Sequence, residues 1–213
     1  VSPSNPTGAV YDHDEIEAIG KWALDNQVWV VTDEIYEHLV YDGRKNYSLP
    51  ALVPKIADRC IVLNGVAKTY AMTGWRVGYI GAPLWLAKAA NKIQGQITSA
   101  NCSIAQRAAL TALTSPKESS KAMANAYYQR RQLVYDLLKK IPGVEVNMPQ
   151  GAFYFFPDVS SYFGKKGIRD AADLCIYLFF KIRTYKLSTI TQYVRPQRCH
   201  PGGSWVLRTM GGS

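Results

Sequence analysis

The sequence predicts an α/β fold, and three observations support that prediction. A helical pattern near the start of the chain is followed by an almost wholly apolar run, Val28–Thr32, and a second apolar, β-branched run lies at Cys60–Leu63. Runs of this kind are typical of parallel strands that are covered on both faces. Beyond residue 83 the pattern is mainly helical. Together these features indicate an open, mostly parallel sheet, followed by a smaller α+β part.

The first elements follow from local signals. The residues Asn5–Gly8 have the composition of a turn, since Pro fixes φ, Gly permits positive φ and Asn bonds its local backbone. Asp14, with Glu17 three residues later, predicts a capping box at the start of the first helix. We expect the apolar face of that helix to consist of Ile16, Ile19, Trp22 and Ala23.

The later elements alternate between helices and short apolar runs. Helices are predicted over Leu84–Ile97 and Ser103–Thr114, and a third begins at Pro116 and runs to about Lys140. Two strand-like runs come next, and a final helix extends from about Asp170 to Phe180. The strand-like runs are Val144–Val146 and Phe153–Phe156.

Length and composition exclude several classes of protein. The 213 residues, 47% apolar and 19% charged, are sufficient for a packed core and are not typical of disorder. No apolar run approaches membrane-spanning length, so we expect a soluble protein without a membrane partner. The four cysteines are scattered, with no C-x-x-C pair and no histidine at ligand spacing. This pattern argues against a metal site or a disulfide framework and favours a reducing, cytoplasmic environment.

The net charge of +9 raises nucleic-acid binding as an alternative function. The charge is unevenly distributed, because no acidic residue follows Asp173. The excess positive charge therefore lies largely in the tail, and we expect no nucleic-acid partner. The basic residues of that tail are Lys181, Arg183, Lys186, Arg195, Arg198 and Arg208.

One lysine, Lys68, stands out because small residues surround it. Desolvation by such neighbours favours the neutral amine, which a Schiff-base lysine needs as a nucleophile. The alternative is a surface lysine on a Gly-rich turn. Ligands of open α/β sheets bind at the carboxyl ends of the strands, so Asp33 and Lys68, which both follow predicted strands, are expected at one edge. The small neighbours are Gly65, Val66, Ala67 and Ala71.

Three motifs occur in a fixed order: S-N-P-T-G at 4–8, T-D-E-I-Y at 32–36 and N-G-V-A-K-T-Y-A-M-T-G-W-R-V-G-Y at 64–79. With this order and spacing the chain closely resembles the class I aminotransferases, which are fold-type I enzymes dependent on pyridoxal 5'-phosphate. It looks most like bacterial aspartate and aspartate/prephenate aminotransferases. The stretches T-S-A-N-C-S-I-A-Q at 98–106 and P-Q-G-A-F-Y at 149–154 fit that subgroup. The resemblance extends from residue 1 to about residue 180.

The resemblance implies roles for five residues. Lys68 is expected to form the Schiff base with the cofactor and to move the substrate Cα proton. Asp33 is expected to keep the pyridine nitrogen protonated, which maintains the cofactor as an electron sink. Tyr36 and Asn5 are expected to hydrogen-bond the phenolic oxygen of the cofactor. Arg76 is expected to bind its phosphate through two parallel hydrogen bonds.

The chain departs from the family pattern in three places. Many relatives have a hydroxyl residue three positions before the lysine to bind phosphate, and here that position is Gly65. The family's first large segment is absent, so we expect a fragment of a homodimeric enzyme. The nearest match to the arginine that binds the substrate carboxylate is Arg208, although its context, L-R-T-M-G, differs from the family pattern. We therefore expect the tail to be out of frame or disordered.

These inferences predict three parts: 1–115, the C-terminal part of a large cofactor-binding domain; 116–180, a small domain with its connecting long helix; and 181–213, the atypical tail. The expected function is transfer of an amino group between an amino acid, aspartate or glutamate, and a 2-oxo acid. Two alternatives stay open. The donor could be an aromatic amino acid, alanine or prephenate, or the chain could be a non-catalytic fragment of such an enzyme.

Overall fold

The computed structural model describes residues 1–182, with side chains as far as residue 180, and these residues form two compact units. The first unit contains Val1–Leu133 and Met148–Tyr154, and the second contains Val134–Asn147 and the described residues from Phe155 onward. Nearly all of the predicted tail, including Arg208, lies outside the described residues. The division at residue 115 rests on the family resemblance and stays a prediction.

A three-stranded sheet organises the first unit, with its strands in the order β1–β2–β3. β1 and β2 are parallel, and β2 and β3 are antiparallel. The two predicted strands and their parallel pairing are thereby confirmed. Because β3 runs in the opposite direction, the carboxyl ends of β1 and β2 and the amino end of β3 lie at one edge of the sheet. The strands are β1, Val30–Asp33, β2, Cys60–Gly65, and β3, Gly78–Gly81.

The first helix, α1, spans His13–Asp25, and its cap differs from the prediction. Asp12, not Asp14, is the capping residue: its side chain accepts from the Glu15 amide at 2.9 Å, and the Glu15 carboxylate accepts from the Asp12 amide at 2.9 Å. The pattern S/T/D-x-x-E occurs twice here, two residues apart, and the earlier copy forms the box. The buried face is also narrower than predicted, because Ile19 and Trp22 are 39% and 59% exposed. Its buried members are Ile16, Gly20 and Ala23.

The main core lies between α1, the start of β2 and a short helical connection. That connection consists of the helix α2, Leu49–Leu52, and a 3₁₀ turn over Pro54–Arg59. Val31 of β1 is 57% exposed, so the prediction that this strand is covered on both faces is wrong for the described chain. The apolar run at Val28–Thr32 correctly predicts a strand, but it does not show whether both faces of that strand are covered. The core residues are Ile16, Ala23, Leu49, Val53, Ile56 and Cys60.

Four longer helices follow the sheet, close to their predicted positions. The predicted bounds of α3, Leu84–Ile97, and α4, Ser103–Thr114, are confirmed. The long helix α5 spans Glu118–Lys139, so Pro116 precedes it instead of opening it. The last helix, α6, spans Ala171–Ile182. Within residues 1–182, no helix is both long and apolar enough to cross a membrane.

The strands predicted at Val144–Val146 and Phe153–Phe156 are wrong. Glu145 forms only an isolated antiparallel bridge with Asp158, through hydrogen bonds of 3.1 and 2.7 Å. The aromatic run at Phe153–Phe156 is irregular and is followed by Pro157, which has no amide proton for a ladder. The aromatic side chains of this run pack against other rings: Phe153 stacks on Tyr127, with ring centroids 5.2 Å apart.

Candidate functional site

One edge of the sheet carries the residues that the sequence analysis selected. Asp33 is the last residue of β1, and Lys68 lies three residues beyond the end of β2. Arg76 lies two residues before the start of β3. Since those strand ends share one edge, the loops that carry these three residues leave the sheet together. The first unit alone therefore supplies this edge.

The Lys68 amine lies against two aromatic rings. Its Nζ is 5.8 Å from the centroid of the Tyr36 ring and 5.5 Å from that of Phe153, which is within cation–π range. The two rings are nearly perpendicular, at 84°, with centroids 5.4 Å apart. Among the predicted small neighbours Val66 is fully buried, whereas Ala71 is exposed. Lys68 itself is half-buried, so aromatic faces define its surroundings as much as small residues do.

Asp33 closes a local turn and also anchors the start of the chain. Its Oδ1 accepts a hydrogen bond of 3.1 Å from the Ile35 amide, an Asx-type turn. Its backbone oxygen accepts from the Ser2 amide at 3.2 Å. The segment that carries Asn5 is therefore fixed next to the end of β1.

Glu34, the neighbour of Asp33, was not selected from the sequence. Its carboxylate is buried and accepts hydrogen bonds from the hydroxyls of Thr32, at 3.0 Å, and Ser48, at 2.9 Å. Burial raises the pKa of the Glu34 carboxyl, and the two hydroxyl donors oppose that rise. Acidic residues directly after a strand are common, so the sequence held no signal that this one is buried.

Asn5 lies in the predicted turn, which is confirmed. The Gly8 amide donates to the Ser4 oxygen at 2.9 Å, and the side of the turn that carries Asn5 is exposed. Gly8 has a φ of +71°, and a Cβ there would lie 2.5 Å from the Cβ of Pro149. The Gly8 oxygen accepts from the amides of Gln150 and Gly151, at 2.8 and 2.9 Å. The turn is thus bonded directly to the P-Q-G-A-F-Y segment.

The P-Q-G-A-F-Y segment, residues 149–154, contributes two aromatic residues to the site. Phe153 provides one of the rings beside Lys68, and the Tyr154 hydroxyl is hydrogen-bonded to that of Tyr36. Both Tyr36 and Tyr154 are buried. In the sequence, this segment fits the family resemblance, but no local pattern indicates a role for Phe153 or Tyr154. Only the fold brings the segment to Lys68, some eighty positions earlier in the chain.

Arg76 and Gly65 are the two positions that bear on the predicted phosphate site. Arg76 is exposed, has a φ of +55° and donates from Nη1 to the Thr73 oxygen at 2.9 Å. Within residues 1–182 its other guanidinium donors make no hydrogen bond, so they can face a ligand. A Cβ at Gly65 would lie 2.9 Å from the Val77 oxygen and 3.0 Å from the Gly78 Cα. Glycine is therefore required at position 65 by the close approach of β3.

Comparison with known proteins shows the family. The model of the family "Aminotransferase class I and II" matches residues 1–193. The chain belongs to this aminotransferase family. Its fold is accordingly the fold-type I α/β fold, and the expected resemblance is confirmed.

Individual relatives agree with this assignment. The chain is 51% identical to an aspartate aminotransferase from Streptomyces avermitilis over 166 residues, which are 78% of this chain and 41% of that protein. It is 46% identical to an aspartate/prephenate aminotransferase from Cereibacter sphaeroides, over 77% of this chain and 41% of that protein. The crystal structure of an aspartate aminotransferase from Rhizobium meliloti superposes with a TM-score of 0.80 at 39% identity, over 84% of this chain and 46% of that one. The chain thus spans less than half the length of these relatives.

The aminotransferases of this family use pyridoxal 5'-phosphate, and the donor set at the sheet edge fits that group. The cofactor presents an aldehyde, a ring nitrogen, a phenolic oxygen and a phosphate. The edge presents a half-buried amine on Lys68, a carboxylate on Asp33, a buried hydroxyl on Tyr36 and a guanidinium on Arg76. Within the described part of the chain, no cluster of three or more His, Cys, Asp or Glu side chains is arranged to hold a metal ion.

Proposed function

We propose that this chain is part of an enzyme that transfers an amino group between an amino acid, aspartate or glutamate, and a 2-oxo acid, with Lys68 as the residue that binds pyridoxal 5'-phosphate. The observation that carries the proposal is the position of the Lys68 amine, 5.5 and 5.8 Å from two aromatic centroids at the sheet edge where Asp33 and Arg76 also lie. The Lys68 amine is thereby held beside the residues that are proposed to bind the rest of the cofactor, and a lysine amine is the nucleophile that forms a Schiff base with an aldehyde.

Each residue has a distinct task in this proposal. When bound, pyridoxal 5'-phosphate supplies an electron sink for the bonds at the substrate Cα. The Lys68 Nζ holds the cofactor and moves the Cα proton as a general base and acid. The Asp33 carboxylate keeps a proton on the ring nitrogen by its opposite charge. Tyr36 and Asn5 donate to the phenolic oxygen, and Arg76 holds the phosphate.

The relatives support aspartate as the amino donor. The protein from Streptomyces avermitilis is an aspartate aminotransferase, and that from Cereibacter sphaeroides is an aspartate/prephenate aminotransferase. The second candidate within the same chemistry is another substrate pair, with an aromatic amino acid or alanine as the donor, or with prephenate as the 2-oxo acid that accepts the amino group. We further propose that the whole protein is a cytoplasmic homodimer.

The experiment is to add pyridoxal 5'-phosphate to the purified chain and record its visible absorbance. A yellow band is expected in the wild type and in Lys92→Ala, which removes an exposed lysine of α3, and it is expected to vanish in Lys68→Ala. A band that persists in Lys68→Ala would contradict the proposal. Amino transfer from aspartate to 2-oxoglutarate is then measured in the whole protein, where Lys68→Ala is expected to abolish it. Cofactor binding without turnover would favour the non-catalytic alternative.

A further inference from the structure

The pair of hydroxyls on Tyr36 and Tyr154 has a direction that the proposed function dictates. A neutral phenol carries one proton to donate and lone pairs to accept. If Tyr36 donates its proton to the cofactor's phenolic oxygen, it has none left for Tyr154. The hydrogen bond between the two tyrosines must then run from the Tyr154 hydroxyl to the Tyr36 oxygen.

Tyr154 is well placed to act in this way because its ring is fixed. It lies edge-on to the Tyr36 ring, with centroids 5.6 Å apart at 85°, and is tilted against the Phe153 ring at 4.7 Å. Both tyrosines are buried, so water competes poorly for their hydroxyls. Edge-to-face pairs of this kind stabilise a defined ring orientation.

The segment that carries Tyr154 is fixed as well. Its backbone accepts hydrogen bonds from Arg131 Nη1, to the Pro149 oxygen at 2.8 Å, and from the Tyr41 hydroxyl, to the Ala152 oxygen. The Ala152 amide in turn donates to the Leu39 oxygen at 2.8 Å. Tyr36 comes from the loop after β1, so the pair joins two segments that are distant in sequence but lie in one unit.

We propose that Tyr154 is a positioning residue that donates to Tyr36 and thereby directs the Tyr36 hydroxyl toward the group bound at Lys68. The inference rests on the proposed function. A chain of donors polarises each member, so Tyr154 strengthens Tyr36 as a donor. Since a stronger donor to the phenolic oxygen favours the ionised form of that oxygen, Tyr154 acts on the bound cofactor without touching it.

The first test is a cycle of Tyr36→Phe, Tyr154→Phe and the double variant in the chain loaded with pyridoxal 5'-phosphate. The readout is the pH midpoint at which the visible band titrates. Tyr154→Phe is expected to raise the midpoint by about 0.5–1 pH unit, the worth of one ordinary hydrogen bond. Tyr36→Phe is expected to raise it further, and the double variant to equal Tyr36→Phe alone. Tyr11→Phe, which removes an exposed hydroxyl, is expected to change nothing.

The outcomes separate this inference from the proposed function. A band that does not depend on Lys68 would overturn the proposed function, and the inference with it. A Lys68-dependent band whose midpoint is unchanged in Tyr154→Phe, or shifts that add in the double variant, would overturn the inference alone.

A second readout does not need the cofactor. In denaturant unfolding of the unloaded chain, the double variant is expected to lose less stability than the sum of the two single variants, because either substitution breaks the same hydrogen bond. Fully additive losses would overturn the pairing on which the inference depends.

Discussion

Arg131 donates two hydrogen bonds of 2.8 Å to the carboxylate oxygens of Asp42, from a side chain that is only 4% exposed. Its Nη1 also donates to the Pro149 oxygen, and its Cζ lies 4.6 Å from the centroid of the Tyr41 ring. Planar, bidentate pairing of this kind is specific to arginine. Through its hydrogen bond to Pro149, Arg131 therefore holds the segment at 149–154, which carries Phe153 and Tyr154, while Asp42 orients the guanidinium.

Removal of this guanidinium should destabilise the chain. Arg131→Met retains an apolar stem but leaves the Pro149 oxygen without its donor, so we expect a loss of about 2–4 kcal/mol in the free energy of unfolding, measured in urea. Arg130→Met is the matched control, because Arg130 is the exposed neighbour on α5 and its loss should cost no more than about 0.5 kcal/mol. Equal losses in the two variants would show that the buried guanidinium of Arg131 has no special weight.

Asp42 should make stability depend on pH in the acid range. The hydrogen bonds from Arg131 hold the pKa of the Asp42 carboxyl below its usual value. A lowered pKa contributes stability that is present above the unfolded value, about 3.9, and is lost as pH falls through the lower folded value. Unfolding curves from pH 6 to pH 2 should therefore fall more steeply in the wild type than in Asp42→Asn. Parallel curves would contradict this assignment.

Glu34 should have the opposite effect. Burial raises the pKa of its carboxyl, so its contribution to stability is present below the unfolded value, about 4.3, and is lost as pH rises through the folded value. Relative to Glu34→Gln, which has no such titration, the wild type should become less stable as pH rises from about 4 to 7. The difference in unfolding free energy between the two proteins measures this directly. A difference that stays constant across that range would be inconsistent with a buried, titrating carboxyl.

Gly65 should resist the substitution that brings it closer to the family pattern. A serine there adds a Cβ 2.9 Å from the Val77 oxygen, so Gly65→Ser is expected to cost about 1–3 kcal/mol of stability. It should not tighten binding of pyridoxal 5'-phosphate. Gly81→Ser is the control, because among the described residues a Cβ there would contact the Val62 Cβ alone, at an ordinary 3.8 Å. Tighter cofactor binding with unchanged stability in Gly65→Ser would contradict the steric explanation.

Local patterns in the sequence predicted much of the fold. The helices α3 and α4 have their predicted bounds because each helical pattern has a clear start. Pro83 directly precedes α3, and a polar turn precedes α4 at Ser103. The aromatic run at Phe153–Phe156 misled because β propensity measures packing against neighbours, and here those neighbours are rings and not strands. The cap of α1 was misplaced by two residues because two overlapping capping boxes fit the same pattern.

The sequence predicted only those site residues that lie in a recognisable motif. Asp33 and Lys68 could be placed at one edge because parallel strands end there, and the structure has them at those strand ends. Phe153 and Tyr154 could not be found in this way, since their approach to Lys68 and Tyr36 depends on long-range packing. No local pattern reports a contact between residues more than eighty positions apart.

The central claim is that Lys68 is the residue to which the cofactor attaches. The most direct measurement is reduction of the chain with borohydride in the presence of pyridoxal 5'-phosphate, followed by proteolysis and mass spectrometry of the labelled peptides. The predicted result is a single major label on the peptide that contains Lys68, suppressed when the reductant is omitted. A label spread over the exposed lysines, or one centred on any other lysine, would contradict the claim.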